Sequence, residues 1–206
     1  MSQIRRLAAI LAADVVAYSR LMGADEEGTH ERLKAHLREL INPKIAEHRG
    51  QIVKNTGDGF LAEFASVLDA VRCAVEIQRA MIDGEPDVPE ERRIRFRIGV
   101  NLGDVIFEDN DIFGDGVNLA ARLEALAEPG GICISRVVRD QVRDRLDYIF
   151  VSRACKSRSC CTRTRSSTDG TAMNCASMRR SSPSSRNIRA MILGASSRAS
   201  TCRADI

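Results

Sequence analysis

The chain has 206 residues, enough to bury one good core, and its formal net charge of +3 hides two unlike parts. Residues 1–150 carry 20 Lys and Arg against 26 Asp and Glu, whereas residues 151–206 carry 11 against 2. An acidic body excludes nucleic acid as its main partner, and with no run of about 18 apolar residues no membrane segment is expected.

Near the start, Arg5-Arg6 and the apolar residues 7–13 look like a secretion leader, but Asp14 interrupts the run at its lower length limit, so a cytoplasmic chain is expected. Residues 8–16 read as a buried strand. Gly23-Ala24-Asp25 opens a long helical segment with Leu33, Leu37, Leu40, Ile41 and Ile45 on one face, and Gly50 closes it. Two apolar stretches, 51–54 and 60–64, flank Asn55-Thr56-Gly57-Asp58-Gly59, a hairpin signal that puts Asp58 at or beside an exposed tip. Ser66, with Asp69 three residues on, predicts an N-cap for an amphipathic helix through Val67, Val71, Ala74 and Val75 to about Ile82.

A polar loop follows over 84–91. Ile94, Phe96, Ile98 and Val100 alternate with Arg95, Arg97 and Gly99 as a period-two strand, with 105–107 expected as its hairpin mate after Gly103. After Gly114 a helix is expected to turn Val117, Ala120, Leu123 and Leu126 to the core; Pro129-Gly130-Gly131 ends it, and a strand over 132–135 and a helix over 137–146 follow. That order of elements predicts an α+β sandwich built on a βαββαβ unit. Beyond residue 150 no aromatic residue occurs, and 13 of 56 residues are serine and 10 arginine, a composition that cannot bury a core and reads as a basic, Ser/Arg/Cys-rich, disordered tail. Of seven cysteines only Cys73 and Cys133 lie in the body; the odd total argues against a disulfide framework, and both read as small, reduced, buried hydrophobes.

Three segments carry chemistry: Ala13-Asp14-Val15-Val16-Ala17-Tyr18-Ser19, Lys54-Asn55-Thr56-Gly57-Asp58, and Asp111 through Arg122. Asp14 and Asp58 supply two carboxylates for divalent cations, Lys54 and Asp111 a donor and an acceptor for a base edge, and Asn118 and Arg122 an amide and a guanidinium one helical turn apart. Taken singly, each has a plainer reading: solvated acids at a strand end and a turn, a surface lysine, an exposed helix face.

Together, in this order and spacing, the three segments resemble the catalytic domain of the class III nucleotidyl cyclases, the bacterial adenylate cyclases in particular, over about residues 6–150. The resemblance implies a ferredoxin-like βαββαβ sandwich. It implies ATP as substrate, converted to 3′,5′-cyclic AMP and diphosphate, with Asp14 and Asp58 binding two divalent cations, Mg²⁺ or Mn²⁺, and residues Val15, Val16, Ala17, Tyr18 and Ser19 wrapping the triphosphate with backbone N–H groups. It implies that Lys54 and Asp111 read adenine, where guanylate cyclases carry glutamate and a small residue, that Asn118 orients the ribose, and that Arg122 stabilises charge on the α-phosphate. The resemblance further implies a homodimer with shared active sites, the metal aspartates coming from one subunit and the other residues from its partner.

Two departures qualify the expectation. Asn101-Leu102-Gly103-Asp104 stands where many relatives have a histidine or threonine and sometimes a basic residue. Past residue 150, where relatives continue into a β-hairpin that donates a lysine to the triphosphate, the hairpin is missing or altered, and a shifted reading frame or altered terminus is favoured over an evolved basic tail. The expected division is thus a catalytic domain over 1–150 and a tail over 151–206, with a catalytically weak or inactive dimerising nucleotide-binding module, or a guanylate cyclase, as the alternatives.

Overall fold

The computed structural model describes residues 4–108, 111–153, 176–179 and 190–193. Its spine is β1 (Ile4–Val15), a strand buried on both faces: Ala9, Leu11, Ala13 and Val15 enter one core and Ala8, Ile10 and Ala12 another. This explains why the segment reads as a continuous apolar run instead of alternating. A helical layer follows: α1 (Tyr18–Ala24), α2 (Glu26–His36), a π-helical turn (Leu37–Ile41) and α3 (Asn42–Glu47). Asp25 caps α2 by accepting a hydrogen bond from the Gly28 amide at 3.0 Å.

The predicted hairpin is β2 (Gly50–Asn55) and β3 (Gly59–Phe64), with Gly57 at φ 96° supplying the left-handed residue of its turn. Next comes α4 (Val67–Asp83), capped by Ser66 as predicted. Its Gln78 is buried and donates to the carbonyls of Phe96 at 2.9 Å and Gly131 at 3.0 Å, tying the helix to two neighbouring segments. A 3₁₀ turn (Glu90–Arg92) leads into β4 (Phe96–Glu108), then β5 (Asp111–Phe113), α5 (Asp115–Leu126), β6 (Ile132–Ile134), α6 (Arg136–Val142), β7 (Ile149–Arg153), β8 (Ala176–Arg179) and β9 (Ala190–Leu193).

The sheet order is β2-β3-β1-β4-β6-β9-β7-β8, with β5 paired to β4; β1 runs antiparallel to β3 and β4, and β4 runs parallel to β6 through the α5 crossover. The βαββαβ sandwich is therefore present, with the sheet between two unequal layers. One face packs on α2, α3, α4 and α6 in the larger core, which holds Phe60, Phe64, Phe96, Ile77 and Ile98; the other packs on α5 alone. Among the described residues no helix is long and apolar enough to cross a membrane.

The structure corrects three expectations. Residues 94–100 and 105–107 do not form a hairpin around Gly103, because β4 runs unbroken through them and its hairpin mate is β5, with Ile106 opposite Phe113. Gly103 marks a close approach: a Cβ there would lie 3.0 Å from the Cα of Gly116 on α5. Leu126 is 43% exposed and not part of the core, since α5 ends there. Cys73 is free and buried as expected, but Cys133 is disulfide-bonded. The tail expected over 151–206 lies outside the described residues except for the end of β7 and the two short strands β8 and β9.

Candidate active site

Strand register sets the first pair. Asp14 is the last even-numbered residue of β1, on the face covered by α5; it stands opposite Gly59 of β3 on one side and Arg97 of β4 on the other. The Val15 amide donates to the Asp58 carbonyl at 2.9 Å, which pins the hairpin tip against the end of β1. The two carboxylates converge. Burial raises the Asp14 pKa above its ordinary value; Arg97 opposes that rise, and the charge of Asp58 and a hydrogen bond with it add to it. Two converging carboxylates suit Mg²⁺ or Mn²⁺, which bind through one or two carboxylates with waters and substrate phosphates completing the shell. Among the described residues no group of three or more His, Cys, Asp or Glu is arranged to hold a metal ion.

Sequence reasoning missed two residues here. Arg97 donates from Nη2 to Asp14 Oδ2 at 2.6 Å, and its Nε lies 3.1 Å from Glu124 Oε1 on α5. The distance qualifies as an ion pair, but the atoms are not aligned as a hydrogen bond, so both are buried without a hydrogen-bond partner. Burial pushes the Glu124 pKa up to about 7; Arg97 opposes the shift while Asp14 and Asp58 add to it. A signal was available. Glu124 occupies the sheet-facing stripe of α5 with Ala120, Leu123 and Ala127, all buried, and a charge on an apolar stripe asks for a partner.

The second pair lies on the far strands of the sheet. Lys54 on β2 and Asp111 at the start of β5, 57 residues apart in sequence, form an ion pair with Nζ 2.5 Å from Oδ2. Asp111 Oδ1 also accepts from the Ile112 amide at 2.8 Å. The Lys54 hydrogen bond, with that amide, holds the Asp111 carboxyl below its usual range, so at neutral pH it is ionised and acceptor-only. Lys54 stays half-exposed at 47%, able to reach outward.

Asn118 and Arg122 sit four residues apart on α5, and both are exposed. Arg122 lies about 200° around the helix from Glu124, so the pair projects away from the sheet while Glu124 points into it. Neither side chain makes a hydrogen bond or ion pair among the described residues. One chain brings Asp14 to Asp58 and Lys54 to Asp111, but it does not bring Asn118 or Arg122 to the aspartates.

The turn over residues 15–19 is narrower as an anion site than expected. The Val16 amide donates to the Arg95 carbonyl at 2.8 Å and that of Val15 to Asp58, so β-sheet closure has used both. Ala17, Tyr18 and Ser19 keep amides without a backbone bond, and Ala17 takes a left-handed conformation at φ 54° that opens the turn.

Comparison with known proteins decides the family. The adenylate and guanylate cyclase catalytic domain family matches residues 2–157. The chain belongs to it. A Rhizobium meliloti protein provisionally named adenylate cyclase 3 is 54% identical over 147 residues, which is 71% of this chain but 25% of that protein. The chain thus spans about a quarter of that relative. An adenylate/guanylate cyclase/hydrolase from Silicibacter pomeroyi is 54% identical, with a TM-score of 0.70, covering 73% of this chain and 88% of that one. The adenylyl cyclase CyaB from P. aeruginosa, at 17% identity and TM-score 0.65, covers 96% of this chain and 98% of that one, a likeness of fold. The cyclase domain here is of the kind that binds a nucleotide, generally uses divalent metal ions and generally works as a dimer.

Proposed function

We propose that the chain is an adenylate cyclase domain that converts ATP to 3′,5′-cyclic AMP and diphosphate in the cytoplasm. The observation that carries this reading is the Lys54–Asp111 pair: a donor and an obligate acceptor fixed 2.5 Å apart and half-open to solvent. Adenine presents the complement, a ring-nitrogen acceptor beside an exocyclic amine donor, whereas guanine presents the opposite polarity at those positions. The 54% identity to a relative bearing an adenylate cyclase name supports the same choice.

Asp14 and Asp58 would hold two divalent cations, which when bound neutralise the converging carboxylates and the charge on the reacting phosphate. The remaining work falls to groups of the chain. The free amides of Ala17, Tyr18 and Ser19 receive the triphosphate oxygens; Asn118 orients the ribose so that its 3′-oxygen faces the α-phosphorus; Arg122 supplies charge to the α-phosphate as the 3′-oxygen bond forms, the bond to the β-phosphate oxygen breaks and diphosphate leaves. The ribose hydroxyl proton passes to solvent.

The site is shared between two copies. Asn118 and Arg122 project from α5 away from the aspartates of their own chain and have no partner among the described residues, which is what a contribution to a second subunit's site requires. Four of the clefts among the described residues, of about 310, 240, 470 and 320 Å³, are lined by neither aspartate and by none of Lys54, Asp111, Asn118 and Arg122. A homodimer with two equivalent sites supplies the missing wall.

The test is product formation by the purified protein with Mn²⁺, given ATP or GTP separately. Cyclic AMP in clear excess over cyclic GMP is expected, and equal or greater use of GTP would overturn the base assignment. ATP binding with no product would leave a nucleotide-binding module.

A further inference from the structure

We propose that Glu124 is a positioning residue for the cation site, one that draws the Arg97 guanidinium off Asp14 when divalent cations arrive. The inference rests on reading Asp14 and Asp58 as metal-binding and adds a residue that acts on them only through Arg97.

Three observations carry it. Arg97 already plays the part of a cation at this site, with Nη2 2.6 Å from Asp14 Oδ2. A guanidinium and a divalent ion compete for the same carboxylate and repel each other, so Arg97 has to shift for a cation to bind well. Second, Glu124 Oε1 lies 3.1 Å from Arg97 Nε, yet the two are out of line and both are buried without a hydrogen-bond partner. A small rotation of the guanidinium toward Glu124 satisfies both atoms at once, so the bond left unmade with Arg97 on Asp14 is the one gained when it swings away. Third, the backbone that carries Glu124 is held against the sheet. Its helix lies directly on β4 at Gly99, two residues from Arg97 on the same sheet face, where a Cβ would come within 2.2 Å of the Ala120 carbonyl oxygen and 2.3 Å of the Glu124 nitrogen. With the helix anchored at that point, the guanidinium is the part that has to travel. Glu124 is not a third ligand, since among the described residues no such three-carboxylate set is arranged around a common point.

The experiment is direct Mn²⁺ titration of the nucleotide-free protein, reading unbound Mn²⁺ by electron paramagnetic resonance, so that turnover is not needed. Glu124→Gln, which keeps the shape and removes the charge, is expected to weaken Mn²⁺ binding by about tenfold, the lower end of the range for outer-shell partners of a metal site. Arg97→Met removes the competitor and is expected to bind Mn²⁺ at least as tightly as the natural chain. In that background Glu124→Gln should change nothing further. Wild-type binding in Glu124→Gln would overturn the proposal. So would equal weakening with and without Arg97, because Glu124 would then act as a ligand or by its charge alone. Glu124→Asp, which keeps the charge but withdraws it from Arg97, is expected to weaken binding as well; unchanged binding there would leave only a field effect and sink the positioning role. Circular dichroism on each variant separates loss of fold from loss of binding. Mn²⁺ binding that survives Asp58→Asn unchanged would instead remove the metal reading, and this inference with it.

Discussion

The two faces of the sheet divide the labour. On one, α2, α3, α4 and α6 cover a large apolar core in which Phe60, Phe64, Phe96, Ile77 and Ile98 are at most 1% exposed. On the other, α5 alone covers a smaller patch, and around it the chain spends its charge: Asp14, Arg97 and Glu124 at one end, Lys54 and Asp111 at the other. A domain that must offer charged groups to a ligand cannot bury them under its main core, because an unpaired buried charge is costly. The covered face carries stability, and the sparsely covered face is where the proposed chemistry falls.

The sharpest way to break that division is to separate activity from folding. Asp58→Asn and Arg122→Ala are each expected to lower cyclic AMP formation by roughly a hundred- to a thousandfold, the scale for removing one preorganised charge from a phosphoryl transition state. Arg122 is exposed and unpartnered, so its loss should change stability by no more than about 0.5 kcal/mol. If the site is shared, mixing the two variants regenerates one site free of both defects, and activity returns on subunit exchange. A mixture that stays inactive despite verified exchange would put each site within one chain. The complementary substitution on the other face is Ile77→Ala, at a fully buried position of α4. It should cost about 2–5 kcal/mol by urea denaturation while leaving the activity per folded molecule unchanged.

A smaller effect probes the chemistry face alone. Lys54→Glu with Asp111→Cys inverts donor and acceptor, and should shift the ATP:GTP preference toward GTP by about tenfold or more, with the urea midpoint little altered because Lys54 is half-exposed. An unchanged ratio of cyclic AMP to cyclic GMP would detach these residues from base reading.

The covered face was the more legible of the two. The apolar run of β1, the Asn55–Gly59 turn, the Ser66 cap and the stripe of α4 are local signals that packing then reinforced. Gly103 misled because a glycine in an apolar run reads equally as a turn or as a place where another backbone comes near, and only the position of Gly116 on α5 decides between them. On the chemistry face, the aspartates and the Lys54–Asp111 pair were visible as motif residues. Arg97 was not, because an alternating strand gives every second residue a polar face and says nothing of what stands opposite. The Asp14–Arg97 register joins residues 83 apart in sequence, and no local pattern encodes it.

The smallest expected effect tests how far the charged face costs the fold anything. Burial raises the Glu124 pKa from 4.5 to about 7, with Asp14 and Asp58 adding to the rise and Arg97 opposing it. A folded-state pKa above the unfolded one means the native chain holds the proton more tightly. The resulting stabilisation is fully present below about pH 4.5 and is lost as pH rises through about 7. Glu124→Gln is neutral throughout and does not share that loss. Its urea midpoint relative to the natural chain should therefore climb from about pH 5 to about pH 8, measured with EDTA present so that no cation masks the carboxylates. A flat difference would mean that Glu124 is ionised throughout that range, held by Arg97 more firmly than their misaligned geometry allows, and the charged end of the sheet would then cost the fold nothing.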